Sequence, residues 1–342
     1  MKQTKKPGYR LYPTMEAHIH RGARKYLGRE AKKYTPKDFI RHTAETMTIP
    51  AFFNSLDFFV LAEEWFWKRQ GAEAIFPASA EVLGSLQRAK FDISKAGTPG
   101  IELPFPSFVL AMPKSFEPEP GLKLGAILAT WYTYEKGATD ILQPYSSAIG
   151  LPSPGTPRMV PHEPGERALA LTMSVGTGRM QYLRTNVLES DLPAILAARS
   201  PEEFASAVGS YSSGSLLFHG LDEHDRKLQF YAFRLIAALG VYHQATEGRY
   251  LRDGFPDAQA PRVIEGEALK NHRSHTLSIA SRTRSEPSEH YRAWHFRQLR
   301  ADRYYQGEHA EKPRGSRWTF VKETTVGEPI SPSTQDIPPA ES

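Results

Sequence analysis

The 342-residue chain contains no cysteine. Disulfides, thiolate zinc sites and cysteine nucleophiles are therefore excluded, and this composition fits a reducing compartment such as the cytoplasm. Long apolar runs are also missing. The most apolar stretch, residues 52–67, is interrupted by Asn54, Asp57, Glu63 and Glu64. Because a membrane-spanning helix needs about 20 predominantly apolar residues, we expect no membrane segment, and the basic N-terminus lacks the apolar run of a signal peptide.

Fingerprints of known catalytic and cofactor sites are scarce as well. The sequence has no HExxH or GxSxG motif and no kinase signature. Residues 176–179, GTGR, lack the Lys-Ser/Thr of a P-loop and the third glycine of a dinucleotide site, so they indicate a tight turn. His18 and His20 have no carboxylate pattern beside them and fit an ordinary helix surface. The sequence therefore predicts neither a cofactor nor a metal.

Enough apolar material remains for a folded protein. Apolar residues make up 40% of the chain and aromatic residues 11%, which suffices for one large or two ordinary domains. The 27 prolines favour short elements and many loops over a long helical bundle. Helical patterns come first, strand patterns follow, and a long helix precedes a basic C-terminal part. This order predicts an α+β fold with a mixed or antiparallel central sheet, rather than repeated βαβ units.

Helical periodicity is clearest in three segments. Residues 56–70 are apolar nearly all round and predict a buried helix that ends at Gly71. Residues 79–90 predict a shorter helix, and residues 222–244 predict the longest one, with an apolar stripe on one face. A further helical segment should begin at Asp191 or at Ser200-Pro201.

Strand patterns occupy the middle of the chain. Residues 103–110 contain two prolines, which forbid a helix and favour an edge strand. Residues 122–134 and 168–175 are rich in aliphatic, aromatic and β-branched side chains and predict core strands. Between them, residues 145–166 are rich in Pro, Gly and Ser and predict a long loop that could act as a lid.

Composition divides the chain into four parts. We predict a basic helical N-terminal segment at 1–48, an α+β core at 49–264, a basic aromatic and His-rich module at 265–326, and a disordered tail at 327–342.

The net charge of +5 hides a strong asymmetry. Residues 1–42 hold 12 Lys or Arg against 3 Asp or Glu, and residues 270–322 hold 12 against 5, so the rest of the chain is acidic. Two interpretations stay open: the basic ends neutralise the acidic middle, or they form a face for a polyanion. In the second case we expect residues 1–42 and 270–322 to lie side by side.

The most distinctive pattern lies in the C-terminal module. Residues 290–305, HYRAWHFRQLRADRYY, alternate guanidinium groups with aromatic rings and imidazoles, and residues 317–321, RWTFV, predict a strand. Such a mixture can pair with phosphates and stack on bases; alternatively it is a solvated basic face whose rings pack on the core. The predicted nucleic-acid contacts are Arg292, Trp294, His295, Arg297, Arg300, Arg303, Tyr304, Arg317 and Trp318.

The same segment carries a resemblance. Its H-x-R-x-x-H-x-R motif, basic turn, aromatic strand and Thr-Val-Gly end resemble a C-terminal module of uncharacterised phage- and plasmid-encoded proteins. It departs from their usual form because Trp294 stands where a glycine is common. The resemblance covers roughly a tenth of the chain and implies a mobile-element origin, with no catalytic role.

Histidines supply the candidates for catalysis. His290 and His295 could act as acid and base beside a cation, as a metal-independent ribonuclease requires. His219, in the sequence LLFHG, resembles the His-Gly element that contacts nicotinamide ribose in ADP-ribosyltransferases, for which Tyr242 or Tyr250 and Glu265 would supply partners. Neither spacing identifies an active site.

Together these patterns predict a cytoplasmic protein of phage or mobile-element type that binds RNA or single strands through its basic ends. The alternatives are an enzyme acting on nucleic acid or NAD, and a phage protein that binds a host protein through its acidic middle.

Overall fold

The computed structural model describes residues 8–17, 28–33, 38, 55–92, 100–135, 138–150, 165–174, 182–209, 222–256, 272–279 and 295–321. The strands are β1 (Tyr9–Arg10), β2 (Glu73–Pro77), β3 (Lys90–Asp92), β4 (Ser107–Leu110), β5 (Met112–Pro113), β6 (Ile127–Glu135), β7 (Ala138–Thr139), β8 (Arg167–Ser174), β9 (Tyr182–Leu188), β10 (Leu251–Asp253), β11 (Arg273–Leu277), β12 (His295–Leu299) and β13 (Arg317–Val321). The helices are α1 (Ser55–Arg69), α2 (Ala80–Arg88), α3 (Leu142–Ile149), α4 (Leu192–Ala197), α5 (Pro201–Gly209) and α6 (Glu223–Ala245). The predicted α+β class is confirmed.

An eight-stranded mixed sheet forms the centre of the molecule. Its strand order is β10-β11-β2-β4-β6-β8-β9, and β7 pairs with the end of β6. The β11, β2 and β4 strands run parallel to one another, whereas β4, β6, β8 and β9 form an antiparallel meander, with β10 antiparallel at the other edge. This mixed arrangement is what the strand patterns predict.

Other parts of the chain cover both faces of this sheet. In its long strands, successive side chains point to opposite faces and most of them are apolar, so each face buries apolar surface. On one face, Tyr132 and Ala170 pack with Val60 and Leu61 of α1. On the other face, Leu169 and its neighbours pack with α6. The sheet therefore lies between two apolar layers.

Helix α6 is more deeply buried than its predicted amphipathic pattern implies. Asp222 caps its N-terminus by accepting a hydrogen bond from the backbone N–H of Asp225 at 2.8 Å. Every residue from Leu228 to Tyr242 is buried except the half-buried Arg234. The reason is that α6 is enclosed by the main sheet and by α2, and also packs against the β12–β13 strands. A helix with partners on several sides needs more than one apolar face.

A second sheet of three strands, in the order β13-β12-β3, lies beyond α6. The β12 strand pairs antiparallel with β13 and parallel with β3. Phe296, Phe320 and Phe91 point inward: the Phe91 and Phe296 rings stack at 5.4 Å, and Phe296 and Phe320 lie 5.5 Å apart. Tyr242 of α6 contacts both Phe296 and Phe320. The β12 and β13 strands are thus built into the same core.

Two predictions about the strand region are corrected. The β4 strand is an interior strand between β2 and β6, not an edge strand. Pro104 and Pro106 both precede it, so neither has to donate a hydrogen bond within the strand. The predicted loop at 145–166 begins inside α3, and residues 151–164 lie outside the described residues. Sequence periodicity also missed the short strands β10 and β11.

The described N-terminal residues and the β12 and β13 strands lie on opposite faces of the main sheet. Tyr9 packs on Phe76 and Tyr12 packs with Trp67, both on the α1 side. The β12 and β13 strands lie on the α6 side. The expectation that residues 1–42 and 270–322 meet on one face is therefore wrong for β12 and β13, whereas His272 of the same C-terminal range contacts the Phe76 ring on which Tyr9 packs. Over the described part of the chain, no helix combines the length and apolar character needed to cross a bilayer.

Candidate functional site

The outer face of the three-stranded sheet carries cations at strand spacing. Because Phe296 points inward, its neighbours His295 and Arg297 point outward. Lys90 pairs with His295 in the register, and Thr319 pairs with Arg297. Lys90 and Arg297 are exposed, and His295 is half-buried. We call Lys90, His295, Arg297, Thr319 and Arg317 the outer face. Asp92 occupies the β3 position that pairs with Arg297 in the register.

More cations surround the connection between β12 and β13. Arg317, at the start of β13, donates from Nη1 to the carbonyl oxygen of Tyr304. The Arg303 guanidinium lies over the Tyr304 ring at 4.9 Å and donates to its hydroxyl at 3.0 Å. Arg314 forms an ion pair with Asp302, with 2.9 Å between Nη2 and Oδ1. Three guanidinium groups therefore contact the Asp302–Tyr304 turn, which has one carboxylate.

Tyr305 fixes the shape of this connection. Its hydroxyl donates to the carbonyl oxygen of Leu299 at 2.6 Å and accepts from the backbone N–H groups of Gly315 and Arg317 at 2.7 and 3.3 Å. Gln298 donates to the Gly315 carbonyl at 2.5 Å and accepts from Arg300 at 2.7 Å. These bonds hold both ends of the connection against β12, so the backbone that carries the cations has a defined position.

The predicted contact residues fall into three groups. His295, Arg297, Arg300, Arg303, Tyr304 and Arg317 lie on β12, on β13 or on the connection between them. Trp318 lies there too, but it is only 5% exposed and belongs to the core. It points inward because it alternates with Arg317, so its ring cannot stack on a base and it is withdrawn as a contact. Arg292 and Trp294 lie outside the described residues, as do the catalytic candidates His290 and His219 and the pair His18 and His20.

Tyr242, a suggested partner of His219, is fully buried and donates to the Ser278 carbonyl at 3.4 Å. It stacks on Tyr250 and contacts the Phe296 and Phe320 rings. A side chain enclosed in this way has a packing role and offers no surface to a nicotinamide ribose.

A second polar cluster lies inside the molecule, between α1 and the main sheet. The Glu63 carboxylate accepts from Arg184 of β9 at 2.6 and 2.9 Å and from Thr172 at 3.1 Å. Burial is the largest single influence and lowers the pKa of Arg184, but the charges of and hydrogen bonds with Glu63 and Tyr132 together outweigh it and raise the pKa. Arg184 also lies over the Phe59 ring at 4.6 Å. Both partners are almost completely buried, and the adjacent cleft lined by Phe59 and Tyr132 has no room for a water molecule. This pair therefore joins α1 to the sheet.

The neighbouring Glu64 points elsewhere, as expected for consecutive residues of a helix. Its carboxylate accepts from the Tyr12 hydroxyl at 3.0 Å and from the backbone N–H groups of Met15 and Glu16 at 2.7 and 3.2 Å. It thereby attaches the N-terminal segment to α1. Burial, reinforced by the Glu63 charge, raises the pKa of Glu64 to about 8, although these hydrogen bonds oppose the shift.

A third cluster joins three strands at the β10 side of the main sheet. His275 of β11 contacts Glu73 of β2 through Nε2 at 2.5 Å and Asp253 of β10 through Nδ1 at 3.0 Å. Arg273 also pairs with Glu73 at 3.2 Å, and the Phe105 ring covers the imidazole at 4.6 Å. Both ring nitrogens are occupied, so the histidine acts as a link between strands. Within the described ranges, no group of three His, Asp or Glu residues is arranged to hold a metal.

No family model, no curated protein and no solved structure matches this chain. The site must therefore be judged from its own geometry. Sequence reasoning found the cations of the C-terminal module but missed Arg184, whose only signal is a cation among apolar strand residues. It also missed Arg314 and its contact with Asp302, because a turn brings these two residues together across a separation that has no periodicity.

Proposed function

We propose that the protein binds nucleic acid, either RNA or single-stranded DNA, through the outer face and the adjoining β12–β13 connection. The observation that carries this proposal is the row of cations on a braced strand surface. Residues 295–321 hold six Lys or Arg against three Asp or Glu. This excess of positive charge does not contribute to apolar packing. Phosphate contacts of this kind supply affinity without reading sequence.

The spacing of the outer face favours a single strand. His295 and Arg297 are two residues apart on β12, which places their side chains about 7 Å apart. That distance is of the order of the spacing between consecutive phosphates in an extended single strand. Arg317, beside Leu299 in the register, continues the row towards Tyr304. The half-exposed Tyr304 ring offers a surface on which a base can stack.

The resemblance of this segment to phage- and plasmid-encoded proteins supports a role in a mobile element. We place that role in the cytoplasm, where RNA and displaced single strands occur. Binding alone would suffice for this role, and we propose no catalytic step for His295.

Anisotropy of a labelled oligouridylate, titrated at several salt concentrations, tests the proposal. Arg297→Ala and Arg303→Ala should each weaken binding and lower the salt slope of log affinity by about 0.7 for every phosphate that the variant no longer neutralises. Tyr304→Ala should cost about 1–3 kcal/mol of binding free energy with little change in slope if a base stacks there.

Arg69→Ala is the matched control, because Arg69 is an exposed arginine of α1 on the other side of the main sheet. It should leave both affinity and slope unchanged. If Arg297→Ala and Arg303→Ala behave like Arg69→Ala, the outer face does not bind nucleic acid and the proposal fails.

A further inference from the structure

The contact between Asp302 and Arg314 gives the basic surface a more specific property. Both residues are exposed, at 70% and 71% of their side chains. An ion pair open to solvent contributes little to folding, so packing does not explain why this pair forms. The position of Asp302 explains the pair better. Asp302 is the first residue of the turn that contains Tyr304. Arg317 donates to the Tyr304 carbonyl, and Arg303 lies over the Tyr304 ring.

We infer that this turn is a phosphate subsite, and that the Asp302 carboxylate occupies it in the free protein. The inference rests on the proposed function and goes beyond it, since it names the group that a ligand phosphate must displace to enter this subsite. A carboxylate and a phosphate present similar anionic oxygens to a guanidinium group. Arg303, Arg314 and Arg317 would then receive the phosphate once Asp302 withdraws.

The surrounding structure keeps the free-energy cost of such an exchange low. Tyr305 holds Leu299, Gly315 and Arg317 together through its hydroxyl, so the backbone on which these arginines stand stays in place. Asp302 has only to rotate its side chain into solvent, which already surrounds it. The carboxylate therefore acts as a weak internal competitor and does not brace the fold.

Asp302→Asn is the direct test, because asparagine keeps the size of the side chain and removes its charge. We expect this variant to bind oligouridylate about two- to fivefold more tightly, the range that an exposed ion pair corresponds to. The salt slope should steepen by about 0.7, because Arg314 becomes available to one more phosphate.

Two comparisons separate competition from a general change of charge. Glu311→Gln removes the same charge from the same connection, three residues from Arg314, and should tighten binding less. In an Arg314→Ala background, Asp302→Asn should have little further effect, since the partner of the carboxylate is already gone. If Asp302→Asn equals Glu311→Gln, or acts fully without Arg314, the inference is overturned while nucleic-acid binding stands.

Inorganic tripolyphosphate serves as a second probe, read by the shift in thermal unfolding temperature. If Asp302→Asn gains tripolyphosphate binding through Arg314 but no variant binds the oligonucleotide, the phosphate subsite stands and the proposed function fails. If no variant binds either probe, both are overturned.

Discussion

At the scale of single residues, Glu64 is the clearest case of a titratable group held where water cannot reach it. Glu64 is 1% exposed, and burial raises its pKa from 4.5 to about 8. The folded protein therefore binds a proton at Glu64 more tightly than the unfolded chain does. The stability that this residue contributes is fully present below about pH 4.5 and is lost as the pH rises towards 8.

The pH dependence leads to a substitution test. Glu64→Gln should flatten the fall in unfolding free energy between pH 5 and pH 8, which should amount to about 3–4 kcal/mol in the native protein. The glutamine oxygen can still accept from Met15 and Tyr12, and only the longer bond from Glu16 is removed. Urea titrations at several pH values measure this, with the exposed Glu81→Gln as control. Parallel curves for the native protein and Glu64→Gln would show that Glu64 does not titrate between these limits.

At the scale of elements, Arg234 connects four parts of the α6 side. Its guanidinium donates to the carbonyl oxygens of Gln87 at 2.7 Å, Ala89 at 2.8 Å and Ala198 at 3.1 Å, and it lies over the Phe91 ring at 5.7 Å. These acceptors lie at the C-terminal end of α2 and just after α2 and α4, where the last carbonyls of a helix have no partner within it. Arg234 is thus the shared cap of two helices.

Loss of this cap should be costly. Arg234→Ala leaves three partly buried carbonyl groups without donors, and we expect a loss of about 2–4 kcal/mol in unfolding free energy. Arg234→Lys should recover only part of it, because an ammonium group cannot span three acceptors with the geometry of a guanidinium. Lys227→Ala is the control on the same helix. It removes surface ion pairs with Glu119 and Glu223 and should cost less than about 1 kcal/mol. Urea denaturation of the three variants measures these differences.

The difference between the predicted and observed elements has a physical basis. Helix α1 and strands β6 and β8 were predictable because each is a long, predominantly apolar segment, bounded by turn or cap residues and rich in residue types typical of its element. The β10 and β11 strands were not, since RSHTL has no apolar alternation and its pairing depends on contacts between distant parts of the chain. The Glu73–His275 contact joins residues 202 positions apart, so no local sequence pattern predicts it. Likewise, only one apolar face was predicted for α6, because its packing against β12 and β13 depends on contacts that no local pattern shows.

The same contrast between local patterns and long-range contacts applies to the candidate site. The sequence located the cations of the C-terminal module and the strand character of residues 317–321, because both are local. It could not tell that Arg297 faces outward while Trp318 faces inward. That distinction depends on which side of β12 and β13 packs against α6.

At the scale of the whole molecule, α6 is shared by two sheets, so the basic C-terminal strands are part of the structural core. Phe296 and Arg297 are neighbours on β12 with opposite environments: Phe296 is completely buried, and Arg297 is exposed. If the second sheet completes the core, damage on its inner side should destabilise the entire protein, and damage on its outer side should not.

This pair of residues supplies a closing test. Phe296→Ala should lower the unfolding free energy by about 3–5 kcal/mol, since it removes a ring that contacts Phe91, Phe320 and Tyr242. Arg297→Ala should change it by less than about 1 kcal/mol. Chemical denaturation followed by tryptophan fluorescence and by far-UV circular dichroism should report one shared transition for Phe296→Ala. Two transitions, with the main sheet unaffected, would instead mean that the basic strands fold as a separate unit, and the effect of Arg297→Ala on oligonucleotide affinity would then have to be measured on that unit alone.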